Sequence, residues 1–251
     1  MMLKIGYLNL DNPIAIISSD GSSDLGGFNG SAGLIMLGPF NLDEVTPSEI
    51  KRAIDRARTT RSALGFSTVG GELEDLSEAA EMAAQEGCLL EVELTRADGI
   101  IDLVRTIKSS DAAISVRARP DAVEDLRATA RELREAGVDL LHLDLRSLGP
   151  GALKVVKRVS DGGAPPIMAG FDVGDFEGAK DLLSMGADMI SLTGKADPEF
   201  VAWLADILKR YHDLVGWYNA PKHICSGGDL RGIAFCCPPV KNCPLLGALK
   251  K

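Results

Sequence analysis

The stretch AVEDLRATARELREAGVDLLHLDL, residues 122–145, holds a helix, a stop and a strand in 24 residues. Its first part carries Leu126, Ala130 and Leu133 three and four positions apart, the spacing that collects apolar side chains on one side of an α-helix. Gly137 follows, the usual residue just past a helix end. LLHLDL is then a short apolar run of strand length. FEGAKDLLSMGADMISLTG, residues 176–194, repeats the order with Gly186 as its stop.

Read outward from these two units, strand-like runs continue in both directions. PIAIIS, GLIMLG, ALGFST, LLEVEL, AISVRA, LLHLDL, PPIMAG and MISLTG make eight. Between most of them lie segments of helical spacing, such as PSEIKRAIDRAR and ELEDLSEAAEMAAQ. Thr46-Pro47, with Glu49 close behind, has the form of a cap with proline at the first helical position. Eight β-then-α units predict an α/β fold, the (β/α)8 TIM barrel. A doubly wound open sheet also alternates β and α, but no GxGxxG turn follows the first strand and the count is eight. SDGSSDLGGFNGSAG is glycine-rich and poorly helical, so the first unit is irregular. KIGYLNLDNP reads as a hairpin plugging the N-terminal end of the barrel. DPEFVAWLADILKRYHDLVGWYN reads as a closing helix capped by Asp197. Its aromatic residues, Trp203 among them, are expected to dock the helix. The predicted organisation is a barrel over residues 1–220 and a short cysteine-rich, metal-binding extension over 221–251.

Composition narrows the possible roles. No apolar run reaches the ~18 residues of a spanning helix, and MMLKIGYLNLDNP lacks a signal segment, so a cytoplasmic protein without a membrane partner is expected. In a reducing compartment, clustered cysteines hold metal more often than they pair. Net charge is −9, which argues against a nucleic-acid partner. The charge is uneven: from Pro221 onward five basic residues face Asp229 alone, so that segment is +4 and the rest is −13.

In a barrel the chemistry belongs at the C-terminal strand ends. Those ends present Ser18, Ser19, Asp20 and Gly21; Ser67, Thr68 and Gly70; Glu91, Glu93 and Arg96; Arg117 and Arg119; Asp144 and Arg146; Gly170, Phe171 and Asp172; and Thr193, Gly194 and Lys195. Acids and arginines around one mouth read either as a paired salt-bridge network or as a ligand site. Thr193, Gly194 and Lys195 suit a phosphate, which loops after the last two strands commonly bind. A small-molecule or phosphate-bearing ligand is therefore expected. Cys88 reads as a small core residue. His142 alternates with Leu141 and Leu143, so it faces the helix layer or is a satisfied core histidine. His212 reads as lying on a solvated or packing face, and none of these three is a catalytic candidate.

These motifs resemble a known group. NPIAIISSDGSSD is similar to the opening of the dihydrouridine synthase and dihydroorotate dehydrogenase barrels, which use FMN. STVGGELEDLSEAAEMAAQEG, SVRAR, GVDLLHLDLR and IMAGFDVGDFEGAKDLLSMGADMISLTGKA resemble later segments of the same group, in order. The resemblance implies FMN with Arg117 near the flavin pyrimidine, and Thr193, Gly194 and Lys195 at its phosphate. It also places Asp20, Gly21, Ser67, Glu93, Asp144, Arg146 and Gly170 around the cofactor. Several of these differ from the group's own residues: Ser67 stands for a glutamine, Glu93 for an asparagine, Arg117 for a lysine and Asp144 for a histidine. At the phosphate site, Phe171 and Gly194 replace a glycine and an arginine. Arg96 falls at about the place of the synthases' catalytic cysteine, so dihydrouridine chemistry is not implied.

The C-terminal segment HICSGGDLRGIAFCCPPVKNC carries Cys225, Cys236, Cys237 and Cys243. Four thiolates suit tetrahedral zinc or an iron–sulfur cluster, and their spacing does not choose between them. Free redox thiols and disulfides are the alternatives, and His223 is an alternate ligand. AFCCPPVKNC is similar to a motif of the methanogenesis marker 9 domain, a cysteine-rich domain of methanogenic archaea. Its single copy implies a site left at four cysteines or completed by a second chain, hence a protein partner or a homo-oligomer. The combined expectation is a flavin-type barrel with a redox or cofactor-related role, the tail relaying electrons. The competing expectations are a non-catalytic assembly module with structural zinc, and a phosphate-ligand enzyme using Glu91, Glu93 or Asp144 as base.

Overall fold

A computed structural model describes residues 3–18, 25–94, 99–171, 173–193 and 196–215. Its sequence opens with two short strands, β1 (Leu3–Ile5) and β2 (Leu8–Leu10), paired antiparallel. Eight further strands follow: β3 (Ile14–Ser18), β4 (Leu34–Asn41), β5 (Ala63–Val69), β6 (Leu89–Leu94), β7 (Ala113–Ala118), β8 (Leu140–Asp144), β9 (Ile167–Gly170) and β10 (Met189–Thr193). They close into a barrel in chain order, β10 returning to β3, with every neighbouring pair parallel. The expected (β/α)8 barrel is the fold.

Seven helices form the outer layer of the described residues: α1 (Pro47–Ala57), α2 (Leu73–Glu86), α3 (Ile100–Ile107), α4 (Leu126–Glu135), α5 (Ala152–Ser160), α6 (Phe176–Ser184) and α7 (Pro198–Val215). The glycine-rich first connection forms a 3-10 turn at Leu25–Phe28, in keeping with its poor helical pattern. At the start of α1 the Glu49 carboxylate accepts from both the N–H and the hydroxyl of Thr46, so an otherwise orphaned donor is satisfied. Gly137 and Gly186 end α4 and α6 at φ of 92° and 106°, where a side chain would be strained.

The residue two places after each of those glycines begins to explain how the strands are held. Asp139 accepts from the N–H of Ile114 at 2.9 Å, and Asp188 from that of Ile167 at 2.8 Å. Each carboxylate thus pairs a donor at the start of the neighbouring strand, leaving the run behind it free to follow the ladder.

Alternation along each strand divides the core in two. Ile16, Phe66, Leu90, Val116, Leu141 and Leu143 face outward and pack against the helices. Leu34, Leu89, Ala113, Leu140, Met168 and Met189 face inward and meet Leu3, Ile5, Leu8 and Leu10 of the hairpin. The hairpin therefore plugs the N-terminal end with side chains, and Tyr7 fastens it by donating to the Cys88 carbonyl at 2.7 Å. Trp203 is 48% exposed on α7, so it does not dock that helix. Among the described residues no helix is long and apolar enough to cross a membrane.

Candidate functional site

Two residues further along the inward faces, the barrel interior becomes polar. Leu89 is followed by Glu91 and Glu93, Ala113 by Ser115 and Arg117, Leu140 by His142 and Asp144, and Met189 by Ser191 and Thr193. Because side chains alternate with period two, each series lies on one face of its strand. Parallel register then aligns the series: Glu91 pairs with Ser115, Glu93 with Arg117, Arg117 with His142 and Asp144 with Gly170.

The deeper of the two polar levels centres on Glu91, which is 1% exposed. Its Oε2 accepts from the Ser115 hydroxyl at 3.2 Å and lies 2.8 Å from His142 Nδ1. The other ring nitrogen, Nε2, is 3.0 Å from Ser191 Oγ. Burial pushes the Glu91 carboxyl up. The His142 ring, by charge when protonated and by its hydrogen bond, then Arg117 and the Ser67 hydroxyl, outweigh it and hold the group below its ordinary value. An ionised carboxylate only accepts, so Nδ1 of His142 carries the proton. Glu91 Oε1 and Ser67 Oγ have no hydrogen-bond partner among the described residues. The two groups act on each other electrostatically without reaching bonding geometry.

The upper level is an arginine–aspartate–arginine set. Arg117 donates from Nη2 to Asp144 Oδ2 at 2.5 Å, and Arg146 donates from Nε to Asp144 Oδ1 at 2.8 Å and from Nη2 to Oδ2. Burial raises the Asp144 carboxyl, but the hydrogen bonds and charges of the two guanidiniums dominate and hold it well below the usual carboxylate range. Arg117 Nε is buried without an acceptor among the described residues. A buried donor left unpaired costs free energy on the order of 1–3 kcal/mol, so such a group stands where an ordered water or a ligand atom would stabilise the protein.

The structure therefore gathers Ser67, Glu91, Arg117 and Asp144 at the C-terminal end of the barrel, as in the sequence reading. Glu93 is partly buried beside Arg117 and Thr193 is exposed at the end of β10. Arg119 is exposed and stays outside the set. Asp20, Gly21, Arg96, Asp172, Gly194 and Lys195 lie outside the described residues, as do Cys225, Cys236, Cys237 and Cys243. Among the described residues no three His, Cys, Asp or Glu side chains are grouped as a metal site would need. His142 takes the core position of its two expected places, turned into the barrel rather than toward the helices. Ser115 and Ser191 carry no motif in the sequence; only the inward series that contain them mark them. Cys88 is buried under α2, and desolvation pushes its thiol up to about 11, so it is no nucleophile at neutral pH.

With this geometry, the similarity to known proteins is informative in part. No protein-family profile matches the chain. A probable bifunctional folylpolyglutamate synthase/dihydropteroate synthase of Halobacterium salinarum is 27% identical over 205 residues, covering 74% of this chain and 23% of that protein. An uncharacterized protein of Methanocaldococcus jannaschii is 71% identical over 35 residues, 14% of this chain and 23% of that protein. The chain thus spans about a quarter of the curated relatives it matches. Among solved structures, DHODH from Eimeria tenella in complex with ferulenol superposes with a TM-score of 0.69 at 14% identity, covering 87% of this chain and 86% of that one. A FabK variant from Thermotoga maritima superposes with a TM-score of 0.57 at 17% identity, covering 73% and 62%. The chain shares the parallel eight-stranded barrel of these enzymes.

Proposed function

We propose that this chain is a flavin-type barrel protein with a redox or cofactor-related role linked to methanogenesis. On this reading FMN lies across the C-terminal mouth, and Cys225, Cys236, Cys237 and Cys243 hold an iron–sulfur cluster or a metal ion. One observation carries the flavin part: among the described residues Glu91 Oε1, a buried acceptor, has no donor and Arg117 Nε, a buried donor, has no acceptor, and the two occur on adjacent strands of one inner face. They stand one inward step apart, about 7 Å along the strands. An N–H beside a carbonyl on a planar heterocycle complements such a pair, and the pyrimidine edge of a flavin has that pattern. The fold shared with DHODH and the sequence resemblance to FMN barrels support the same ligand. Arg117 would meet the pyrimidine, with Ser67, Glu93, Asp144 and Arg146 around it and Thr193, Gly194 and Lys195 at the phosphate. Bound FMN supplies electron and hydride transfer. The chain's own contribution is to orient that edge and keep a fixed charge pattern against it.

A second reading rests on the 27% identity to the protein named for dihydropteroate synthase. A pterin offers the same N–H and carbonyl edge. Purification without oxygen separates the two. The expected result is flavin absorbance, FMN released on denaturation and iron bound to the protein. Pterin fluorescence in the extract instead establishes the second reading. A colourless protein with zinc and no extracted heterocycle overturns both and supports an assembly module.

A further inference from the structure

The deep polar level contains more than a ligand edge requires. Glu91, His142 and Ser191 come from three strands and form one continuous chain: carboxylate, imidazole, hydroxyl, at 2.8 and 3.0 Å. All three are buried, and Ser191 is the end whose strand comes out at the mouth. Thr193, the next inward residue on the same strand, is exposed.

A separate observation shows that this contact shapes its surroundings. A Cβ built on Gly170 would lie 2.9 Å from Ser191 Oγ and 3.1 Å from His142 Nε2. The backbone of Gly170 is not in the left-handed region, so glycine is needed there for space and not for conformation. Its missing side chain is the room in which the histidine–serine hydrogen bond forms.

We propose that Glu91, His142 and Ser191 act as one proton-holding unit, in which Glu91 and His142 position the Ser191 hydroxyl as a hydrogen-bond partner for the heterocycle across the mouth. This deepens the proposed function and rests on that reading for its ligand. With the proton on Nδ1 held by Glu91, Nε2 accepts and the Ser191 hydroxyl must point its hydrogen at the ring. Its lone pairs then face the mouth, and Ser191 presents an acceptor to a ligand N–H. The place of that one proton thus sets which ligand edge Ser191 favours, a donor rather than an acceptor. Here His142 and Glu91 are positioning residues, and Ser191 is the group that touches the ligand.

Nitrogen NMR of histidine-labelled protein tests the unit without any ligand. His142→Asn identifies the His142 signal among the three histidines. The expected result is a proton resident on Nδ1, with the Nε2 signal moved in both Ser191→Ala and Gly170→Ala while Nδ1 stays in place. A proton resident on Nε2, or an Nε2 signal indifferent to Ser191→Ala, overturns the proposal. Titration with FMN tests the outward end: Ser191→Ala is expected to bind about five- to tenfold more weakly, the loss of one hydrogen bond. Equal affinity of wild type and Ser191→Ala overturns the role of that end. Failure of the wild type to take up FMN or a pterin defeats the flavin-type reading instead, and the proton-holding unit is still decided by the nitrogen spectrum.

Discussion

The lower and upper halves of the barrel interior are built from the same strands and the same faces, yet they differ in every chemical respect. Below, Leu89, Ala113, Leu140, Met168 and Met189 close on the hairpin as an apolar plug. One inward step higher, Glu91, Ser115, His142 and Ser191 form a hydrogen-bonded set. The difference teaches how little sequence separates a structural floor from a site: two residues per strand. It also explains the order of the layers. A carboxylate is tolerated at the centre of a barrel only where neighbouring strands supply partners, and the Ser115 hydroxyl of β7 and the His142 ring of β8 supply them at the second level.

Moving a charge down one level is the most severe way to break this division. Leu140→Glu places a carboxylate among the apolar side chains of the plug, and is expected to cost about 4 kcal/mol or more. Urea unfolding would show it as a lower midpoint, or as failure to fold. Removing the polar level is expected to be milder if done completely. Glu91→Leu alone leaves His142 buried without its acceptor and should cost about 3 kcal/mol, whereas Glu91→Leu with His142→Leu should cost clearly less than the sum of the single changes. A thermal-unfolding double-mutant cycle gives that coupling, and strict additivity would show that the two residues do not act together.

The smallest effect concerns the upper level and depends on pH. The folded Asp144 carboxyl titrates below the ordinary value of 3.8. The stability it contributes is therefore complete above that value and is lost as pH falls toward and through the lower folded one. Asp144→Asn should be less stable than wild type at neutral pH and should lose less on acidification below about pH 4. Unfolding midpoints at neutral and acid pH provide the comparison, and parallel acid slopes for the two proteins would contradict it.

Much of this was legible beforehand. Runs such as LLEVEL and AISVRA coincide with β6 and β7 because apolar residues alternate there with Glu91 and Glu93, or with Ser115 and Arg117, at the period of a strand. The hairpin plug, the irregular first connection and the stops at Gly137 and Gly186 also follow from local chemistry. What alternation alone leaves open is which face points inward, and that is why His142 had two possible places. Closure of the ring decides it, since Leu141 and Leu143 have helices to pack against and His142 has Glu91. Ser191 was less legible still. Serine in an apolar strand carries no signal until the strand beside it brings a glycine, Gly170, to the same height.

The hairpin has a consequence for traffic. With the N-terminal end filled by Leu3, Ile5, Leu8 and Leu10, a molecule in the barrel has a single doorway, at the opposite end. Any ligand of the polar levels must therefore enter and leave by that one end.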